Sequence, residues 1–165
     1  IGELCALKWS NIDLKANTVH IAATLQRLHN TTADGGSQTH IVIGAPKSKK
    51  SIRTIPLNDY DAALCRRFAG RDDTYLLTGT ENYMEPRMLE YRFQKYTQEC
   101  GLEGVHPHTL RHTFATRAVE AGFDIKSLSE ILGHSSTAIT LERYVHSSLA
   151  LKRTNMEKLD KVAGF

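Results

Sequence analysis

The sequence predicts an α+β fold that is mainly α-helical and contains a small three-stranded antiparallel sheet. Two patterns support this prediction. Short runs rich in β-branched and apolar residues precede Asn58, whereas apolar residues recur at helical spacing after it. With 165 residues, the chain suits a single domain with one core.

A helix and three strands are predicted in the first part of the chain. Ile1, Leu4 and Cys5 fall at helical spacing and indicate an opening helix. Three segments have the composition of strands: Thr18–Leu28, His40–Ile43 and Ile52–Leu57. The turn between the second and third strands consists of Ser48, Lys49 and Lys50. This arrangement predicts that Lys47 lies at the tip of the sheet.

Caps and stops divide the rest of the chain into short helices. Asn58 is predicted to cap the first of them, and a second spans Arg87–Cys100 and ends at Gly101. The apolar side of the first helix consists of Ala62, Ala63, Leu64 and Phe68. Pro107 suits the first turn of the next helix. The predicted buried stripe of that helix consists of Leu110, Phe114 and Ala118.

Two further helices and a tail are predicted after this stripe. Gly133 ends an amphipathic helix whose apolar residues are Ile125, Leu128, Ile131 and Leu132. Ser135 or Ser136 then caps a helix that runs to Tyr144. From Ser147 the tail has roughly helical spacing of Leu149, Met156, Leu159 and Val162.

Composition excludes several classes of protein without naming a function. The chain is 41% hydrophobic and 24% charged, which is typical of a globular protein rather than a disordered one. Its net charge of +3 is compatible with a nucleic-acid partner, although many proteins without one are equally basic. No apolar run approaches the roughly 20 residues of a membrane-spanning helix. The odd number of cysteines, Cys5, Cys65 and Cys100, favours reduced thiols in the cytoplasm.

Three motifs near the end of the chain could hold an anion and supply a nucleophile. His108 and Arg111 are predicted to share one helical face, although this pair alone is usually two solvated side chains. Leu-Gly-His-Ser-Ser from Leu132 and Arg-Tyr-Val-His from Arg143 follow in short order. Each of these residues has a structural interpretation by itself, but their combination is specific.

In this combination the chain resembles the tyrosine recombinase (phage integrase) family, and most of all the integrases of bacterial conjugative transposons. The segment from Ala45 to Leu57 is similar to the family's hairpin with an active-site lysine, and Ile1-Gly2-Glu3-Leu4 is similar to its opening helix. The resemblance implies a helical catalytic domain over residues 1–146. It also implies that residues 147–165 form a tail helix that docks on a neighbouring protomer.

The resemblance implies a role for each catalytic residue and requires neither a cofactor nor a metal. Tyr144 would be the nucleophile that forms a 3′-phosphotyrosine link with DNA. Arg111, His108 and His134 would stabilise charge on the scissile phosphate, and His108 is also the candidate base. Lys47 would protonate the departing 5′-oxygen, with Lys49 and Lys50 as alternatives in the same turn: the choice among the three is open.

One departure from the family concerns the start of the chain. Family members have Arg directly before Ile-Gly-Glu-Leu, whereas this sequence begins at Ile1, without Met and already at helical spacing. We therefore expect a fragment of a longer protein that lacks the first catalytic arginine and is nearly inactive as it stands. Glu3 is expected to pair with that arginine.

The resemblance also implies partners and a location. These are double-stranded DNA, other copies of the protein in a homotetramer on DNA, accessory DNA-bending or directionality proteins, and the bacterial cytoplasm at the nucleoid. Phosphate contacts from the basic turn and from Arg53 are expected to make DNA binding weaker at high salt.

Three other functions compete with the recombinase. A metalloenzyme could use the clustered histidines His106, His108, His112 and His134, although zinc sites usually need a different spacing. A second alternative is a recombinase-like module that binds DNA but cannot cut it. A type IB topoisomerase would share the covalent chemistry but not the strand exchange, and the motifs favour the recombinase. Three histidines are assigned structural or hydrogen-bonding roles and left out of the predicted site: His106, His112 and His146.

Overall fold

The computed structural model describes residues 1–29, 39–46 and 48–144, together with residue 153 and residues 156–158. Over these ranges the helices are α1 Gly2–Ala6, α2 Asp59–Arg67, α3 Pro86–Glu99, α4 Pro107–Glu120, α5 Ile125–Leu132 and α6 Thr137–Tyr144. The strands are β1 Ile12–Asp13, β2 Thr18–Ile21, β3 Thr24–His29, β4 Thr39–Gly44 and β5 Arg53–Pro56. The mainly helical α+β class is confirmed. No helix within the described ranges has the length and apolar character needed to cross a membrane.

The strands form two antiparallel sheets, so the predicted pairing is corrected. One sheet has the order β1-β2-β5, and the other pairs β3 with β4. The predicted strand Thr18–Leu28 breaks between β2 and β3. The predicted second and third strands, β4 and β5, do not pair with each other.

The reason for this pairing is a difference in the length of two connections. Residues 45–52 between β4 and β5 are opposite only residues 22–23 between β2 and β3. The longer connection includes a 3₁₀ turn at Lys49–Ser51. The lysine turn therefore connects two sheets rather than forming a hairpin tip. Lys47 itself lies outside the described residues, as does the side chain of Lys49.

Helix α1 packs directly against the start of β3. A Cβ atom on Gly2 would lie 2.5 Å from Thr24 Oγ1 and 2.6 Å from the Leu25 carbonyl oxygen, so only glycine permits this approach. Cys5, Ala6 and Leu25 form the buried cluster at this contact. The close approach fixes the position of the residues that lead α1, including Glu3.

A second core joins α4, α5 and α6, and it corrects the predicted stripe of α4. Leu110 and Phe114 are 58% and 46% exposed. The buried residues are instead Ala115 and Ala118 on α4, with Leu128, Leu132 and Tyr144 from the following helices. Small side chains on α4 let the other two helices approach closely, and the larger apolar residues supplied by α5 and α6 fill the space.

Local capping predictions are confirmed. The Asn58 side chain accepts a hydrogen bond of 2.8 Å from the Asp61 N–H at the start of α2. Gly133 ends α5 in the left-handed region with φ of 70°. The Ser136 hydroxyl accepts from the Ala138 N–H at 3.2 Å in the first turn of α6. Of the predicted tail, only residue 153 and residues 156–158 are described, and these positions are helical.

We predict that Leu128→Ala lowers the free energy of unfolding by about 2–5 kcal/mol, because Leu128 is fully buried and the cavity would be surrounded by packed helices. Leu110→Ala is the matched control, since Leu110 is 58% exposed on α4. Urea denaturation of both variants measures the difference. Equal losses would mean that the α4–α6 core is not packed as described.

Candidate active site

Tyr144 is a core residue whose hydroxyl meets a histidine. It ends α6, is only 8% exposed, and packs with Leu128 and Leu132. Its hydroxyl lies 2.9 Å from Nδ1 of His112 on α4, and the two ring centroids are 5.7 Å apart. His112, which is predicted to be structural or hydrogen-bonding and is left out of the predicted site, therefore makes a hydrogen bond with the predicted nucleophile. Positions 112, 115 and 119 share one side of a helix, and this side contains the buried Ala115 and the partly buried Val119.

His134 is a second histidine close to Tyr144. The two rings are parallel, with centroids 6.5 Å apart. Nδ1 of His134 is 2.8 Å from Oγ1 of Thr140, which is fully buried and therefore fixes the ring. Burial, and then the charges of Arg111, Arg143 and Arg53, lower the pKa of His134. His134 is accordingly neutral at neutral pH and can be a hydrogen-bond donor without adding charge.

Arg111 brings a positive charge to the same place. Its guanidinium donates to the Leu132 carbonyl at the end of α5. Burial lowers the pKa of Arg111, and the charge of Arg53 adds to this effect, while Glu3 and Tyr144 oppose it. An arginine remains protonated even so, and its other N–H groups can bind an anion. These residues form what we call the Tyr144 cluster: Arg111, His112, His134, Thr140 and Tyr144.

Arg53 supports the cluster through hydrogen bonds to several segments of the chain. Its guanidinium donates to both carboxylate oxygens of Glu3, at 2.9 and 2.8 Å. It also donates to the carbonyls of Ser51 and Ile131, at 2.9 and 2.7 Å. Its side chain is only 11% exposed. Most of its N–H groups are therefore used within the protein. Glu3 pairs with Arg53, while its pairing with the family's first catalytic arginine and the phosphate contact of Arg53 stay predictions.

The structure places one of the three candidate lysines beside the cluster. Nζ of Lys50 donates to the carbonyl of Ser135 at 2.7 Å, directly after His134 in the chain. Lys50, Lys126 and His134 line the same surface groove. The assignment of Lys47 lies outside the described residues and stays a prediction.

His108 differs from Arg111 and His134 in having no described interaction with Tyr144. It is exposed in the first turn of α4 and lines a groove of about 1090 Å³ with Ile1 and Gly2. Within the described ranges, no hydrogen bond or ring contact joins His108 to Tyr144. The structure thus brings Arg111, His134 and Tyr144 together and leaves His108 at the adjacent groove.

Comparison with known proteins identifies the family. The model of the phage integrase family matches residues 1–150. The chain belongs to this family. The XerC-like tyrosine recombinase of Caldanaerobacter subterraneus is 27% identical over 96% of the chain and 45% of its own length. The tyrosine recombinase XerC of Chlamydia caviae is 31% identical over 96% of the chain and 46% of its own length. The chain thus spans about half the length of these relatives.

Solved structures support the predicted likeness to transposon integrases. The Tn1549 transposon integrase in complex with transposon right-end DNA has a TM-score of 0.75 and 25% identity, over 96% of this chain and 54% of that one. In complex with a circular-intermediate DNA, the same integrase has a TM-score of 0.72 and 26% identity over the same shares. The XerA recombinase has a TM-score of 0.54 and 28% identity, over 95% and 50%.

We predict that His134 titrates below the ordinary histidine value of 6.5 and that Arg143→Gln raises its pKa by removing one of the facing charges. The folded chain binds this proton more weakly than the unfolded chain does. The contribution of His134 therefore lowers the free energy of unfolding as the pH falls below about 6.5.

Nuclear magnetic resonance titration of the His134 ring protons measures both effects. Arg117→Gln is the control, because Arg117 is 77% exposed and pairs with Glu120 on the outside of α4. A His134 midpoint at or above 6.5 in the native chain would contradict the burial and the arginine charges described for this ring.

Proposed function

We propose that the chain is the catalytic part of a tyrosine-type site-specific DNA recombinase, an integrase that inserts and excises a mobile element. The observation that carries the proposal is the placement of Tyr144 close to His112 and His134, with the Arg111 guanidinium near enough to interact electrostatically with it. Membership of the phage integrase family and the likeness to a DNA-bound transposon integrase support the same function.

In the proposed reaction Tyr144 attacks the phosphorus of a DNA phosphodiester. A 3′-phosphotyrosine bond forms, the bond to the 5′-oxygen breaks, and negative charge increases on the non-bridging oxygens. Arg111 opposes that charge, and neutral His134 contributes a hydrogen bond, in a site where burial strengthens both interactions. The covalent link conserves the energy of the broken bond, so the 5′-hydroxyl of a partner strand can reverse the step without ATP.

His108 and Lys47 complete the proposed site. His108 lies in the first turn of α4, where the positive end of the helix dipole favours a phosphate. We assign it a phosphate contact at the groove that it lines with Ile1. Lys47, or its neighbours Lys49 and Lys50, provides the proton for the 5′-oxygen from the loop between β4 and β5.

The proposed partners follow from this chemistry. The substrate is double-stranded DNA at the ends of the element and at its target, in the bacterial cytoplasm. Two such DNA sites require several protomers, and we propose a homotetramer in which residues 147–165 dock on a neighbour, with accessory DNA-bending proteins possible at the ends. Deleting this tail should reduce oligomerisation on DNA but leave the Tyr144 cluster intact.

We predict that native chain, extended at its N-terminus by a segment that ends in Arg directly before Ile1, forms a covalent adduct with a nicked duplex from the DNA that adjoins its gene. The same chain without that Arg should be at least about 10²-fold slower, because one clamp on the phosphate is absent. Tyr144→Phe should form no adduct, since only the attacking oxygen is removed. A denaturing gel detects the adduct.

Tyr60→Phe is the matched control, because Tyr60 is 76% exposed on α2 and lies outside the cluster. EDTA should leave the rate unchanged: the described residues hold no group of three or more His, Cys, Asp or Glu side chains suited to a metal. An adduct that persists in Tyr144→Phe would assign the nucleophile elsewhere. Intact DNA binding without any adduct would favour a non-cleaving module, and relaxation of site-free supercoiled DNA would favour a topoisomerase.

We predict that Lys47→Ala slows adduct formation on ordinary DNA but not on DNA whose 5′-bridging oxygen is replaced by sulphur. A thiolate leaves without a proton because its conjugate thiol has a pKa of only about 8.5. Lys49→Ala and Lys50→Ala, measured in the same way, test the alternatives. A selective defect of Lys50→Ala would move the assignment to the lysine that reaches Ser135.

A further inference from the structure

We infer that His112 accepts the phenolic proton of Tyr144 when this tyrosine attacks DNA. The inference rests on the proposed function and assigns the base of that reaction to a residue that the sequence motifs leave out. A base must lie within hydrogen-bond reach of the proton that it removes. Nδ1 of His112 is 2.9 Å from the Tyr144 hydroxyl oxygen, whereas the described contacts of that oxygen do not include His108.

The surroundings of His112 suit a proton acceptor better than those of its neighbours. His134 uses Nδ1 for the buried Thr140 hydroxyl, and the described hydrogen bonds of the Tyr144 hydroxyl include His112 but not His134. Arg111 stays protonated and cannot accept a proton. His112 is exposed at the surface of α4, so a proton received at the buried tyrosine can pass to solvent.

The step balances without any further reactant. The phenolic proton moves from Oη of Tyr144 to Nδ1 of His112, in the tautomer that carries its proton on Nε2. The bond from Oη to phosphorus forms as the bond from phosphorus to the 5′-oxygen breaks, and the lysine of the proposed function protonates that oxygen. In the reverse step protonated His112 returns the proton to the departing phenol.

The test compares two substitutions of His112 in the Arg-extended chain, by the rate of adduct formation in a single turnover. His112→Ala should be about 10²–10⁴-fold slower, the usual loss of a general base, and added imidazole should restore part of the rate. In His112→Asn, Oδ1 takes the place of Nδ1 and keeps a hydrogen bond to the phenol but cannot take its proton. It should be as slow as His112→Ala and gain nothing from imidazole.

His20→Ala is the matched control, because His20 is an exposed histidine that makes a hydrogen bond with Thr54 and has no described contact with Tyr144. A His112→Asn variant with the native rate would overturn the inference and leave only a positioning contact. So would a slow His112→Ala variant that imidazole does not rescue. In both cases the adduct of the native chain would still uphold the proposed function. A native chain that forms no adduct would overturn the proposed function, and this inference with it.

Discussion

The arginine at the start of β5 holds the site together. The Arg53 side chain makes hydrogen bonds to Glu3 of helix α1, to Ser51 in the connection between β4 and β5, and to Ile131 near the end of α5. These three segments are far apart in the sequence, and a guanidinium can join them because it donates in several fixed directions. Removing either member of this largely buried pair would leave an unpaired charge, which is far more costly than losing a surface ion pair.

Gly133 is required by the same arrangement for two separate reasons. Its φ of 70° belongs to the region that side chains disfavour, and it turns the chain from α5 toward His134. A Cβ atom there would also lie 2.9 Å from Nη1 of Arg53. The glycine of the Leu-Gly-His motif thus fits the backbone turn and the guanidinium at once. The motif that predicts a catalytic histidine also includes the glycine that makes room for Arg53.

The sequence predicts local features of this fold better than long-range ones. The caps at Asn58 and Gly133 depend on neighbouring residues and were predictable. The pairing of β5 with β2 instead involves strands that are far apart in the sequence, so local composition does not predict it. Apolar spacing on α4 fits two faces, and alanine belongs equally well to either. Since partner helices decide between them, the sequence could not place Leu110 outside.

The candidate site also has a part that the sequence predicts and a part that only the structure reveals. Motifs supply the identities of Arg111, His134 and Tyr144, and the structure brings them together. The contribution of His112 could have been found only from the face that it shares with Ala115, once that face was known to be the inner one.

The proposed nucleophile, Tyr144, is also a buried residue of the core, and this has a practical consequence for genetic screens. A loss of 1–2 kcal/mol in packing can reduce the abundance of a protein several-fold in cells. A phenotype caused by poor folding would then look like one caused by failed chemistry, and only the amount of folded protein would separate the two.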